Sequence, residues 1–356
     1  MSLPEFFLAT NSANGFVSEF GNNYDAEKGW LAYIIKGGAG TGKSSLMLSI
    51  AKRVSDKKIN TLYCPCSSDP DSLDGVIFPD KKVIVLDGTL PHPVEPKYPA
   101  ICEQIVNTGA FWDEEKLKGM EKEILNLYKL NSLAHKKASG YIKAAGQLLR
   151  TNFSYALSAT DIEKASLYAA DIADKHIKGM GKGQKEWVRF LSGVTPKGFI
   201  FFGDTINHLS DKQIVICDQY GAVSSIFMTI IRDIALYHNY EIITVKNPIL
   251  PNEIIDHIII PELKLAFCSE RRGVLINSDE RRIHARRFTD ISALHKNKQK
   301  ITFNRRIYKE LLEGAVNSLK EAKLLHDIIE KHYIDIMDFS HFEDISSKIA
   351  EKIISR

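Results

Sequence analysis

Short continuous apolar runs alternate along the chain with stretches whose apolar residues recur every three or four positions. Residues 31–35 and 83–86 are apolar runs of the length and type of buried strands. Leu46, Met47, Ile50 and Ala51 follow the first run at helical spacing. Leu117, Met120, Ile124 and Leu127 hold a helical period further on, as do Leu311, Ala315, Ala322, Leu325 and Ile329. Thr160, Asp161, Ile162 and Glu163 have the capping-box form and predict a helix start. Ser340 to Glu343 predict another, with Ile345, Ile349 and Ile353 on one face of the helix. These stripes read as core or helix–helix contact. Gly179, Gly181 and Gly183 stand close together and predict a linker.

The order of elements occurs twice. Phe7 and Leu8, then Gly15 and Phe16, return as Phe190 and Leu191, then Gly198 and Phe199, with equal spacing between the phenylalanines. Ser44, Ser45, Leu46 and Met47 align with Ser224, Ser225, Ile226 and Phe227. Leu73, Asp74 and Pro79 align with Ile255, Asp256 and Pro261, and a strand is expected after each segment, at 83–86 and 263–268. The expected fold is α/β. Two tandem lobes, residues 1–178 and 184–356, each carry a parallel sheet and an appended helical hairpin.

Between the first strand and the first helix stand Gly37, Gly38, Ala39, Gly40, Thr41, Gly42, Lys43, Ser44 and Ser45. This is the G-x-x-x-x-G-K-S pattern in its strand–loop–helix setting. Its glycines let the backbone turn and bring N–H groups against phosphate oxygens. The helix that follows points its positive dipole end at the same anion. Lys43 is expected at the terminal phosphates of ATP, Ser44 on Mg²⁺ and Ser45 at the α-phosphate. Asp87 ends the run 83–86 and is expected to support Mg²⁺. The alternative for it is a turn-forming Asp–Gly pair.

The residue after Asp87 is Gly88, so the glutamate that often orients the attacking water is missing from its usual place. His92 and Glu95 are the nearby candidates for a base, and His92 reads better as a hydrogen-bonded loop residue. Asp69 and Asp71 read as turn residues. The second repeat's loop, residues 217–223, has no lysine and carries Asp218 where phosphate would sit. Ser269 stands at the position of Asp87. The second P-loop NTPase-like lobe is therefore expected to keep the fold without the nucleotide site.

These segments resemble a family of bacterial tandem P-loop ATPases with a degenerate second repeat. The resemblance rests on Gly15 and Phe16, on the 37–45 loop, and on the segment from Leu86, Asp87, Gly88 and Thr89 through Pro91 and His92 to Pro96, Lys97, Tyr98 and Pro99. It covers nearly the whole chain. It implies ATP binding and no particular biological role.

Composition adds little to this picture until it is read locally. The chain has 44% hydrophobic and 26% charged residues, a globular balance, and a net charge of only +3. The apolar run 222–231 stops at Arg232 and is too short to span a bilayer. No basic segment precedes a long apolar one at the start. The five cysteines, Cys64, Cys66, Cys102, Cys217 and Cys268, show no framework spacing. Cytoplasmic free thiols are expected.

Residues 271–306 hold eleven Lys and Arg against three Asp and Glu. An ordinary solvated surface is one reading. The others are phosphate contacts to nucleic acid, an acidic protein partner, or an arginine that reaches the first lobe's ATP. Arg271 and Arg272 are the candidates for that last role, as catalytic residues with Lys43 and Asp87. The expected activity is a Mg²⁺-dependent ATPase with one site. The alternatives are a small-molecule P-loop kinase and a nucleotide-gated binding module for nucleic acid or protein.

Overall fold

The computed structural model describes residues 3–271, 273–277 and 282–356. The first repeat contains β1 (Ala9–Ser12), β2 (Gly15–Ser18), β3 (Leu31–Lys36), α1 (Lys43–Ser55), β4 (Leu62–Pro65), β5 (Leu73–Phe78), β6 (Val83–Asp87), β7 (Glu103–Asn107), α2 (Glu121–Leu157) and α3 (Ile162–His176). The second contains β8 (Lys185–Arg189), β9 (Ser192–Thr195), β10 (Gly198–Phe201), α4 (Asp204–Leu209), β11 (Lys212–Cys217), α5 (Ala222–Tyr237), β12 (Glu241–Lys246), β13 (Ile255–Ile260), β14 (Leu265–Glu270) and β15 (Arg282–His284). It ends with α6 (Ile291–His295), α7 (Lys298–Ile334) and α8 (Phe342–Ser355).

The protein is mixed α/β, and both large sheets are mixed where parallel sheets were expected. The first runs β4-β5-β6-β3-β7, the second β12-β13-β14-β11-β15 with β8 added beside β12. Corresponding strands therefore occupy corresponding places. β3 is parallel to β6 and β7, while β4, β5 and β6 are antiparallel neighbours. Connection length is the reason. Only a short 3-10 turn, Pro79–Lys81, joins β5 to β6. A parallel return needs a crossover of about a dozen residues or more, such as the one that contains α1.

The sheets face each other across one apolar core. Ala32, Ile34, Ile84 and Leu86 of the first share it with Val215, Val245, Ile259 and Ala266 of the second. The equivalent residues Phe7 and Phe190 exchange backbone hydrogen bonds of 2.8 and 3.0 Å, so the halves meet about a pseudo-two-fold axis.

The helices depart from the expected hairpins. α2 and α7, of 37 residues each, run antiparallel to one another. Asn131 Nδ2 donates to the Ala322 carbonyl at 2.7 Å and Asn304 Nδ2 to Asn152 Oδ1 at 2.9 Å. A helix of that length extends about 55 Å, too far to fold back on its own sheet. It delivers the chain to the opposite half. Ala165, Ala169 and Ala173 of α3 pack on Val223, Phe227 and Ile231 of α5. Ile349, Ala350 and Ile353 of α8 pack on Leu46, Met47 and Ile50 of α1. Each sheet thus has one helix of its own and one from the other repeat on its outer face.

Local signals fare unevenly. Asp161, rather than Thr160, caps α3 by accepting from the Lys164 N–H at 3.0 Å. Ser340 caps nothing, and α8 begins at Phe342 without a side-chain cap. The glycine segment 179–183 lies along the turn after α5, with Gly181 N donating to His238 O at 2.9 Å. Among the described residues no helix is long and apolar enough to cross a membrane.

Candidate phosphate-binding site

The first loop leaves β3 after Lys36 and enters α1 at Lys43. Gly40 and Gly42 adopt φ of +68° and +71°, a left-handed conformation that side chains disfavour. A Cβ on Gly37 would run into the hydroxyls of Thr108 and Thr41. Those hydroxyls brace the loop: Thr41 Oγ1 donates to Gly38 O at 2.9 Å and Thr108 Oγ1 to Lys36 O at 3.0 Å. Among the described residues, no acceptor takes the backbone N–H groups of residues 38–45. These donors lie at the N-terminus of α1, at the positive end of its dipole.

Lys43 Nζ donates to the carbonyls of Gly38 at 2.6 Å and Gly37 at 3.2 Å. It lies 3.6 Å from Asp87 Oδ2. The parallel pairing of β3 and β6, which sets Ile35 opposite Asp87, brings that carboxylate to the loop. Asp87 Oδ1 accepts from Thr89 N at 2.9 Å and Thr89 Oγ1 at 2.5 Å. Ser44 Oγ accepts from Leu73 N at 2.9 Å and keeps a second lone pair. Lys43 and Asp87 are thus in direct contact, and Ser44 is oriented from β5. Ser44 and Asp87 are the residues that could hold Mg²⁺.

The second loop is built differently. Four residues, 218–221, join β11 to α5, where six, 37–42, join β3 to α1. Gly221 keeps the left-handed entry, with φ +82°. The buried Asp218 takes the N–H of Ser224 at 2.9 Å and that of Tyr220 at 3.0 Å. Its carboxylate stands where an anion would bind. Ser269 donates to Ser224 Oγ at 3.1 Å, on the strand that matches the one bearing Asp87.

Of the two candidate bases, His92 is buried in the frame. Its Nδ1 lies 3.1 Å from the Asp87 carbonyl, its Nε2 3.4 Å from Asp74 Oδ1, and its ring stacks on Phe20 at 4.3 Å. Burial works against its charged form, but Asp74 and Asp87 outweigh that and raise its pKa above the usual 6.5. Glu95 lies on the rim of a cleft of about 690 Å³ bounded by Gly37, Gly88 and Thr89, paired with Lys36 at 2.6 Å. Asp69 accepts from Ser72 Oγ at 2.8 Å within its turn, and Asp71 pairs with Lys197 at 2.5 Å.

Arg271, Arg282, Arg287 and Arg305 do not point to the loop. Arg271 Nη2 donates to the buried Asp256 at 2.6 Å, inside the second half. Arg272 and Arg281 lie outside the described residues. Arg282 pairs with Glu270, Arg287 lies over the Tyr168 ring at 4.9 Å and Arg305 over Tyr220 at 4.7 Å.

What the second half brings to the first loop comes from its end. A Cβ on Gly40 would sit 2.5 Å from the Glu330 carbonyl, and one on Gly42 2.9 Å from the rings of Phe339 and Phe342. Trp112 abuts Gly38. No spacing in the sequence marks Glu330, Phe339 and Phe342, because they reach the loop only through the helix exchange. Comparison with known proteins finds no matching family model, no matching curated protein and no matching solved structure.

Proposed function

We propose that the chain is an ATP-binding protein and Mg²⁺-dependent ATPase, built from two tandem P-loop NTPase-like halves, with one nucleotide site in the first. The observation that carries this reading is the contrast between the loops. The N–H groups of residues 38–45 have no acceptor among the described residues, while Asp218 takes those of the second loop. The resemblance to tandem P-loop ATPases points the same way.

In this reading the loop amides and the α1 dipole bind the phosphates. Lys43 moves from its loop carbonyls to the terminal phosphates, and Ser44 and Asp87 hold the metal. Bound Mg²⁺ would offset the charge on the phosphate oxygens. The pairing of Arg271 with Asp256 argues against a transition-state role for that residue. With Gly88 in place of a glutamate, slow turnover is expected.

The test is calorimetry and phosphate release on the full chain with Mg-ATP. One ATP per chain is expected. Asp87→Asn should weaken Mg²⁺-dependent turnover more than metal-free binding. Two equivalent sites, or equal losses in both measurements, would overturn the assignment. The cleft beside Gly88 favours one second reading, because about 690 Å³ is the size of a small-molecule site. There Glu95 would face the hydroxyl of a phosphoryl acceptor. Labelled γ-phosphate appearing in a metabolite instead of as free phosphate selects this kinase reading. The basic segment 271–306 would serve a nucleic-acid or acidic protein partner, which salt-dependent filter binding tests.

A further inference from the structure

We infer that the base of the nucleotide is held at the seam between the halves, in the cleft walled by Phe111, Trp112 and His341, so that the second half completes the first half's site. This rests on the nucleotide-binding role proposed above. The cleft measures about 430 Å³ and is lined by residues 110–113 from one repeat and 335–338 from the other. Two backbone hydrogen bonds stitch its walls together: Asp113 N to Ile336 O at 3.0 Å and Asp338 N to Phe111 O at 2.9 Å.

Its chemistry suits a flat heteroaromatic ring. Phe111 and His341 stack at 5.1 Å, and Trp112 presents a third ring. Aromatic faces of this kind stack on bases. Lys116 and the carboxylates of Asp113, Asp335 and Asp338 also line it. Asp113 and Asp338 each accept one backbone N–H through Oδ1, and the remaining oxygens can accept from the amino group of a base. The cleft is also one ring away from the loop. Trp112 comes within 3.4 Å of where a Gly38 Cβ would stand, and Phe342, beside Gly42, lies 6.0 Å from Phe111.

The pseudo-symmetric seam provides an internal control. There Asp161 N donates to Phe288 O at 2.8 Å and Asp290 N to Ala159 O at 2.7 Å, the counterparts of the two bonds above. Phe288 stands in the place of Phe111. It is buried, 5.5 Å from Phe227 and 5.4 Å from Tyr168. Lys164 Nζ crosses to the Arg287 carbonyl at 3.0 Å. At the seam beside the self-capped loop the matching phenylalanine is buried, and the seam beside the open loop has a cleft.

The test titrates the full chain by calorimetry with Mg-ATP and with Mg²⁺ and inorganic triphosphate. ATP should bind about tenfold tighter or more, the scale of one base stack. His341→Ala, at an exposed side chain, should remove that preference while triphosphate affinity and Tm stay unchanged. Phe111→Ala should do the same. Equal affinities for the two ligands in the wild type, or unchanged ATP affinity in both variants, would overturn the inference while leaving the phosphate site standing. Binding of neither ligand would instead defeat the nucleotide reading beneath it.

Discussion

Two turns leave matched strands and enter matched helices through a left-handed glycine, Gly42 in one and Gly221 in the other. They part in how they satisfy the helix N-terminus. The second supplies its own acceptor, the buried Asp218, and closes in four residues. The first spends six, offers no acceptor from the protein, and sets Lys43 and Asp87 beside the unclaimed donors. An exposed helix end needs no protein cap, since water or a ligand can serve. A buried one does. The difference therefore separates a turn that is finished as structure from one whose N–H donors the described residues leave unclaimed.

The largest effect that would break the comparison is at Lys43. Lys43→Ala should weaken ATP on the order of a thousandfold, because it removes the cation that the proposed function assigns to the terminal phosphates. The fold should survive, since among the described residues Lys43 Nζ contacts loop carbonyls and Asp87. Retention of wild-type affinity in calorimetry would mean that the first loop is as structural as the second.

Next in size is the pair that each half buries behind its loop: Asp74 with His92 in the first, Asp256 with Arg271 in the second. Burial raises the pKa of Asp256, and Arg271 opposes it. Arg271→Ala leaves that buried carboxylate without its counter-charge, with Asn247 Nδ2 at 3.2 Å still donating to it, and should cost about 3 kcal/mol of stability. Thermal unfolding should show the loss, with turnover per folded molecule unchanged. A turnover collapse at unchanged Tm would restore Arg271 to the first site and join what the comparison separates.

A smaller effect sharpens the comparison from the other side. Asp218→Ala should lower stability by about 1 kcal/mol, the ordinary value of a side-chain cap. It should not create a second nucleotide site, because residues 222–225 contain no lysine. An ATP stoichiometry rising to two in that variant would show that the carboxylate alone distinguishes the loops.

The legible parts of this molecule are the local ones. The 37–45 loop could be read because strand, glycines, lysine and helix are contiguous, and Asp87 because an apolar run ends on it. The mixed sheets were within reach too: Pro79–Lys81 is too short for a crossover. The exchange of α3 and α8 was not. An apolar stripe such as Ile345, Ile349 and Ile353 says that a face is buried and is silent about which sheet buries it. His341 escaped for the same reason, since it reaches Phe111 only after α7 has crossed. Arg271 is ambiguous in the sequence, because its place after a matching strand fits both a reach across the interface and the buried bond to Asp256 that it makes.

The smallest expected effect is a pH dependence confined to the first half's pair. The folded pKa of His92 lies above its ordinary 6.5, held there by Asp74 and Asp87 against the cost of burial. A raised folded value means that folding favours the protonated ring. The contribution is fully present below 6.5 and fades as pH rises through the folded value. An arginine in the same task gives no such slope. His257 pulls the other way, its pKa driven down to about 3 by burial and by Arg271, so stability also falls as pH drops below 6.5. The two are separated by difference. Tm measured across pH for wild type and His92→Gln should converge as pH rises above neutrality, while the acid limbs keep the same slope. A constant gap between the curves would mean that His92 packs on Phe20 as a neutral ring, leaving Asp74 to be satisfied without it.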